Sequence, residues 1–252
     1  MTSLRGIVFV TVTLIFCINN HTMPDSTTDR RDWRVAVGAE ETSAVFEPAD
    51  SGADAPLFVC AHGAGGNMND RSIVALAKAL RAHGLSVVRF NFLYREKKSG
   101  RPDAMPKLEA CFSAVVERAR QELKPKTLFI GGRSMGGRAA SMMAAEKFDC
   151  DGLLLFAYPL HPPGHPEKLR DAHLPSITAP VLCFSGTRDP FISKDLMEEV
   201  LKKVKTQWDM QWIESADHSF HVPKSSGRTD AQVLDEVANS TERWIEGLGK
   251  SK

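Results

Sequence analysis

From Leu57 onward, short, mostly apolar runs alternate with stretches of helical period, and few folds accept that order. The runs are Leu57–Ala61, Leu85–Phe90, Thr127–Gly131, Leu153–Tyr158, Val181–Gly186 and Met210–Ile213. Leu57–Ala61 is a continuous apolar run, as expected for a strand buried on both faces, and the others read as strands as well. Between them, Asn69–His83 places Ile73, Leu76, Ala77 and Leu80 on one helical face, and Gly84 follows as a stop. Pro106–Leu123, Met135–Phe148, Ser193–Lys203 and Thr229–Leu248 read as further helices, with a charged loop over 94–106 and a Pro-rich loop after Tyr158. Ahead of them, Trp33–Gly38 and Thr42–Glu47 flank a turn and read as a hairpin. This order predicts an α/β fold: a mostly parallel central sheet, helices on both faces and an antiparallel N-terminal hairpin. Right-handed crossovers then bring every parallel strand's C-terminal end to one edge, where ligands bind. With no linker or composition break after residue 31, residues 31–248 are expected to form a single domain.

Composition narrows the function classes. The 32 Lys and Arg nearly balance the 31 Asp and Glu, so the basic excess of a dedicated nucleic-acid binder is missing. Cys60 and Cys183 lie inside apolar runs and no C-x-x-C occurs, so the cysteines read as buried free thiols. Residues 1–22 stand apart. Gly6–Ile18 is uncharged and apolar but too short to span a bilayer as a helix, so no stable membrane span is expected. The segment reads as a signal-like leader, as an imperfect lipoprotein box ending at Cys17, or as an extension ahead of a translation start at Met23. A signal would export the protein; a start at Met23, the favoured reading, would leave it cytoplasmic.

The chemistry concentrates at the predicted C-terminal strand edge. Gly132-Arg133-Ser134-Met135-Gly136 is a G-x-S-x-G sequence between a strand and a helix. In that context the serine is a candidate nucleophile on a tight elbow; the plain alternative is a helix N-cap. A serine needs a base, and the base needs an orienting acid. Asp189 follows one late strand in Gly186-Thr187-Arg188-Asp189-Pro190, and His218 follows the last in Ser215-Ala216-Asp217-His218-Ser219. The order Ser134…Asp189…His218 is that of a hydrolase triad, with Asp217 competing for the acid and His221 for the base. His62-Gly63-Ala64-Gly65-Gly66 follows the first buried strand and resembles a glycine-rich oxyanion loop. The two donors expected there are the Met135 N–H and that of Ala64 or Gly65. Arg133, Arg138 and Arg188 read either as anchors for an anionic substrate group or as partners of nearby carboxylates. Tyr158 and the following loop are expected to wall the pocket beside His62, Arg133 and Arg188. His161, His165 and His173 lack metal-ligand spacing, so no metal site is expected.

Together the stretches HGAGGNMN (62–69), GGRSMGGRAAS (131–141), YPLHPPG (158–164), GTRDPF (186–191) and ADHSF (216–220) resemble the α/β-hydrolases over residues 57–246. They are most similar to a small dienelactone-hydrolase-like family that includes testis-expressed protein 30 and the NSL complex subunit 3. The resemblance implies a minimal hydrolase without a large cap domain. Dienelactone hydrolases proper use a cysteine nucleophile, and Ser134 departs from that pattern. The expected activity is serine hydrolysis of an ester, thioester or small amide, of carboxylesterase or thioesterase type, with acyl transfer as a variant. No cofactor is needed, and the expected partner is a small-molecule acyl substrate. The competing reading is a non-catalytic scaffold on the same fold.

Overall fold

A computed structural model describes residues 30–52 and 54–250. The leader, Cys17 and Met23 lie outside the described residues. One eight-stranded sheet runs in the order β1-β2-β4-β3-β5-β6-β7-β8. Its strands are β1 (Arg31–Val37), β2 (Glu40–Glu47), β3 (Leu57–Ala61), β4 (Ser86–Phe90), β5 (Leu128–Arg133), β6 (Gly152–Phe156), β7 (Val181–Gly186) and β8 (Trp208–Ile213). The hairpin β1–β2 joins β4 antiparallel, and every later pair is parallel. The helices are α1 (Arg71–Ala82), α2 (Leu93–Glu96), α3 (Met105–Leu123), α4 (Met135–Ala145), α5 (Lys194–Leu201) and α6 (Asp230–Lys250).

The period-two alternation of side chains splits each central strand between two cores. Phe58 and Cys60 of β3 pack with Ile73, Leu76 and Leu80 of α1 and with Val233 and Val237 of α6. Leu57, Val59 and Ala61 face the opposite layer, where Phe112, Val115 and Val116 of α3 meet Ala139, Ala140 and Met143 of α4. Both faces of the sheet are thus covered, which is why the sequence shows unbroken apolar runs instead of alternation.

The structure departs from the sequence expectation in its details. The hairpin turn is tighter than expected, with only Gly38 and Ala39 between the strands and Gly38 at φ 61°. The charged loop opens with the short helix α2, because the Glu96 carboxylate is tied to the backbone N–H of Ser43 and the side chain of Asn91. Strand β5 runs two residues further than expected, since Gly132 and Arg133 stay paired with Leu155 and Phe156. That extension carries the ladder right up to Ser134.

The chain winds from β3 outward to β4, then returns to β5 on the other side of β3. Strands β3 and β5 therefore flank a topological switch point, and the crevice beyond their C-terminal ends is where such a sheet binds ligands.

Candidate active site

The elbow at the end of β5 is built by steric necessity. Ser134 holds φ 52° and ψ −117°, a conformation that strains a residue with a Cβ by about 1–3 kcal/mol. A Cβ on Gly132 would stand 2.2 Å from the Ala61 carbonyl oxygen, and one on Gly136 would stand 2.5 Å from the same atom. Both glycines of the motif are therefore required by the backbone of β3. The Ser134 N–H donates to the Phe156 carbonyl at 2.9 Å, which fixes the turn against β6.

Three sequence-predicted side chains meet there. His218 Nε2 lies 2.9 Å from Ser134 Oγ, and His218 Nδ1 lies 2.7 Å from Asp189 Oδ2. The Asp189 side chain is 0% exposed. Its second oxygen accepts the Phe191 N–H at 2.9 Å. The carboxylate accepts a hydrogen bond from Nδ1–H, so the Nε2 lone pair faces the serine hydroxyl. The Phe191 ring lies 4.3 Å from the imidazole, centroid to centroid, and restricts its tilt.

The competitors have other work. Asp217 Oδ1 accepts the N–H groups of Ser219 and His221, closing its own turn. His221 is exposed and pairs with Asp230 at 2.9 Å. A second serine–histidine contact, Ser141 Oγ to His173 Nε2 at 2.8 Å, is not equivalent. Ser141 is fully buried in mid-helix and gives its proton to the Arg138 carbonyl at 2.8 Å. Tyr158 OH completes this group at 3.3 Å from both partners. It fastens the Pro-rich loop to α4, and burial lowers the His173 pKa to about 4, so the ring is neutral.

The glycine loop after β3 is held from below. His62 is buried and accepts the Phe92 N–H on Nε2 at 3.2 Å. Its proton therefore sits on Nδ1 and goes to the Gly63 carbonyl at 2.8 Å. Burial lowers its pKa to about 4, which keeps it neutral. Tyr94 OH donates to the Ala64 carbonyl at 2.7 Å, and Asp70 accepts the Asn67 N–H at 2.8 Å. With the Gly63 and Ala64 carbonyls engaged, the peptide planes of the loop are fixed beside the elbow.

Two expected pocket residues stand elsewhere. Tyr158 does not wall the cleft; it is buried under it, because Ala157 takes φ 53° and turns the chain inward, leaving Pro159 on the surface of the cleft. Arg188 is exposed on the outside, donating to the Ser215 carbonyl at 3.2 Å. Arg133 does border the cleft, but its guanidinium is spent on Ser72 Oγ, Ser219 Oγ and the His218 carbonyl at 2.8–3.0 Å. Its partners are a carbonyl and two hydroxyls, not the carboxylate that internal pairing predicted. Burial lowers its pKa, opposed by the field of Asp217, Asp189 and Asp70. Of the remaining histidines, His161 is buried on its own loop at the Pro162 carbonyl, and His165 is exposed beside Glu167.

Above the elbow lies a cleft of about 670 Å³, with Ser134 and His218 in its wall. Ile73, Met105, Leu108 and Phe191 give it an apolar side. Sequence reading passed over Tyr94, Asp70 and Phe191; their only signal was a position just beyond a strand's C-terminal end. Among the described residues no helix is long and apolar enough to cross a membrane.

Comparison with known proteins agrees with this architecture. An α/β-hydrolase serine homologue from Coxiella burnetii superposes with a TM-score of 0.69 at 20% identity, covering 84% of this chain and 96% of that one. A lidless α/β serine hydrolase from Xanthomonas campestris gives 0.68 at 21% identity, with 86% and 95% covered. Dienelactone hydrolase from Anabaena variabilis gives 0.67 at 20%, with 86% and 98% covered. At these identities the likeness is one of fold. The sequence profile of the alpha/beta hydrolase domain matches residues 54–246, and the chain belongs to the α/β-hydrolase family.

Proposed function

We propose that this chain is a serine hydrolase that cleaves carboxylic esters, thioesters or small amides through an acyl-enzyme on Ser134. The observation that carries the reading is the unbroken contact from Ser134 Oγ through the imidazole of His218 to the buried Asp189 carboxylate. In this reading His218 Nε2 takes the hydroxyl proton as Oγ attacks the carbonyl carbon. Asp189 stabilises the imidazolium that results. The carbonyl oxygen becomes an anion and accepts hydrogen bonds from the Met135 N–H, at the start of α4, and from Ala64 or Gly65. The positive end of the α4 dipole favours the same charge. Collapse expels the alcohol, thiol or amine, which receives its proton from His218. Water then attacks the acyl group by the same route in reverse. An acceptor other than water in that last step would make the chain an acyltransferase.

The test is labelling by a fluorophosphonate probe together with hydrolysis of p-nitrophenyl esters of graded acyl length. The wild-type protein should label and turn over, and Ser134→Ala should do neither while keeping its melting temperature within a few degrees. Undiminished labelling of Ser134→Ala would overturn the nucleophile. A folded wild-type protein inert to both reagents would be a scaffold.

A further inference from the structure

Among the described residues, two arginine side chains in the cleft have no hydrogen-bond or ion-pair partner. Arg138 lies one helical turn beyond Ser134 on α4, its N–H bonded to the Ser134 carbonyl at 3.0 Å. Residues four apart share a helix face, and helical side chains lean toward the N-terminus, here toward the serine. Its Nε is buried without a hydrogen-bond partner. Arg170 enters the same cleft from the Pro-rich loop. Among the described residues neither guanidinium has a carboxylate within ion-pairing distance. Burial and the charge of Arg138 both hold the Arg170 pKa below its ordinary value, opposed by Tyr158, so each cation lies in the other's field at the wall of the same cleft.

The backbone that carries Arg170 is fastened to the rest of the fold. The Arg170 N–H donates to the Leu160 carbonyl at 2.8 Å, and three residues on, His173 is fastened to Ser141 of α4. Other charges near the pair do not neutralise it. Glu109 of α3 attracts Arg138 but opens on a separate groove beside Glu146. Asp70 is committed to Asn67, and Arg133 to the histidine loop. Among the described residues of the cleft, Asp103 is the carboxylate with an oxygen left over; its other oxygen is 3.7 Å from Lys107. Two unpaired like charges within each other's field lower stability, and such local violations concentrate where a ligand removes them.

Resting on the serine-hydrolase reading, we infer that the substrate carries an anionic group, a carboxylate, that Arg138 and Arg170 hold together while the ester carbonyl sits at Ser134. A guanidinium pair meets a carboxylate with charge-assisted bonds and leaves neither arginine orphaned.

The experiment compares matched esters in a pH-stat: monoethyl esters of four- to eight-carbon dicarboxylic acids against ethyl esters of fatty acids of equal length. A second pair places the charge on the leaving group, 4-acetoxybenzoate against its methyl ester. In one of the two series the wild-type protein should prefer the carboxylate member at least ten-fold in kcat/KM. That preference should fall at least ten-fold in Arg138→Gln and in Arg170→Gln, and Arg138→Lys, which keeps the charge, should recover part of it. Melting temperatures show whether each variant folds, and glutarate as a competitive inhibitor of a neutral ester reads binding apart from turnover. Equal hydrolysis of charged and neutral members, or an unchanged preference in the folded variants, overturns the inference. Faster turnover of a trimethylammonium ester overturns it too and assigns the cleft to Asp103. Failure of the serine reading differs from all of these: no ester is cleaved and no probe is bound.

Discussion

Replacing Asp189 by Asn tests the electrostatic core of the site with hardly a change of shape. The side chain is fully enclosed, and each oxygen has one donor: His218 Nδ1 at 2.7 Å and the Phe191 N–H at 2.9 Å. An Asn oxygen can keep the Phe191 N–H, and its amide group then points at Nδ1. Two donors cannot face each other, so the imidazole must move its proton to Nε2. That nitrogen would then present N–H, not a lone pair, to Ser134 Oγ, and the hydroxyl would lose its base. A wrong tautomer of this kind lowers kcat by about 10⁴, or about 5.5 kcal/mol of barrier. The folded state loses much less, about 1.5–3 kcal/mol for one charged hydrogen bond. Asp217→Asn is the matched control, since an amide oxygen can still accept the Ser219 and His221 N–H groups. Initial rates on a p-nitrophenyl ester, with a urea titration of each variant, read both effects. If Asp189→Asn kept kcat within ten-fold and Asp217→Asn lost it, the tautomer argument would be wrong.

Other outcomes follow from single features. Gly132→Ala should fail to fold or lose more than about 3 kcal/mol in urea unfolding, since its methyl would stand 2.2 Å from the Ala61 oxygen. Gly65→Ala, with open space around it, should stay within about 1 kcal/mol of wild type. His62 and His173 have folded pKa values of about 4, below the unfolded value, so the unfolded chain binds protons that the folded one refuses. Their contribution is intact above about pH 6.5 and is lost as pH falls toward 4, at a slope near 1.4 kcal/mol per pH unit for each. His83 works the other way, its pKa raised by Asp235 and Glu242, and offsets part of the loss. Unfolding midpoints from pH 7 to pH 5 should therefore drop, and drop less in His173→Gln; a flat profile would refute the burial argument.

How far the sequence could be read depended on where each residue stood. Strands buried on both faces advertise themselves, and Leu57–Ala61 and Val181–Gly186 have the same limits in sequence and in structure. Helices with one buried stripe do as well: Ile73, Leu76, Ala77 and Leu80 are all buried on α1. Ser134, Asp189 and His218 were legible because each follows a strand, and a parallel sheet gathers such residues at one edge. Tyr158 follows a strand too, yet a single left-handed residue, Ala157, sends it downward, and no pattern announces that torsion. Arg170 sits in irregular chain with neither period nor motif. Its proximity to Arg138 exists only after the Pro-rich loop has folded back onto α4.

The grip of Arg133 on the histidine loop has a mechanical consequence. Its peptide immediately precedes Ser134, and its guanidinium holds the backbone carbonyl of His218. The loop of His218 is thus tied directly to the strand end that carries Ser134 by one side chain, which also reaches Ser72 of α1. Sway in the hairpin at the far side of the sheet should leave the distance between serine and imidazole almost untouched, because neither end of that tether is attached there.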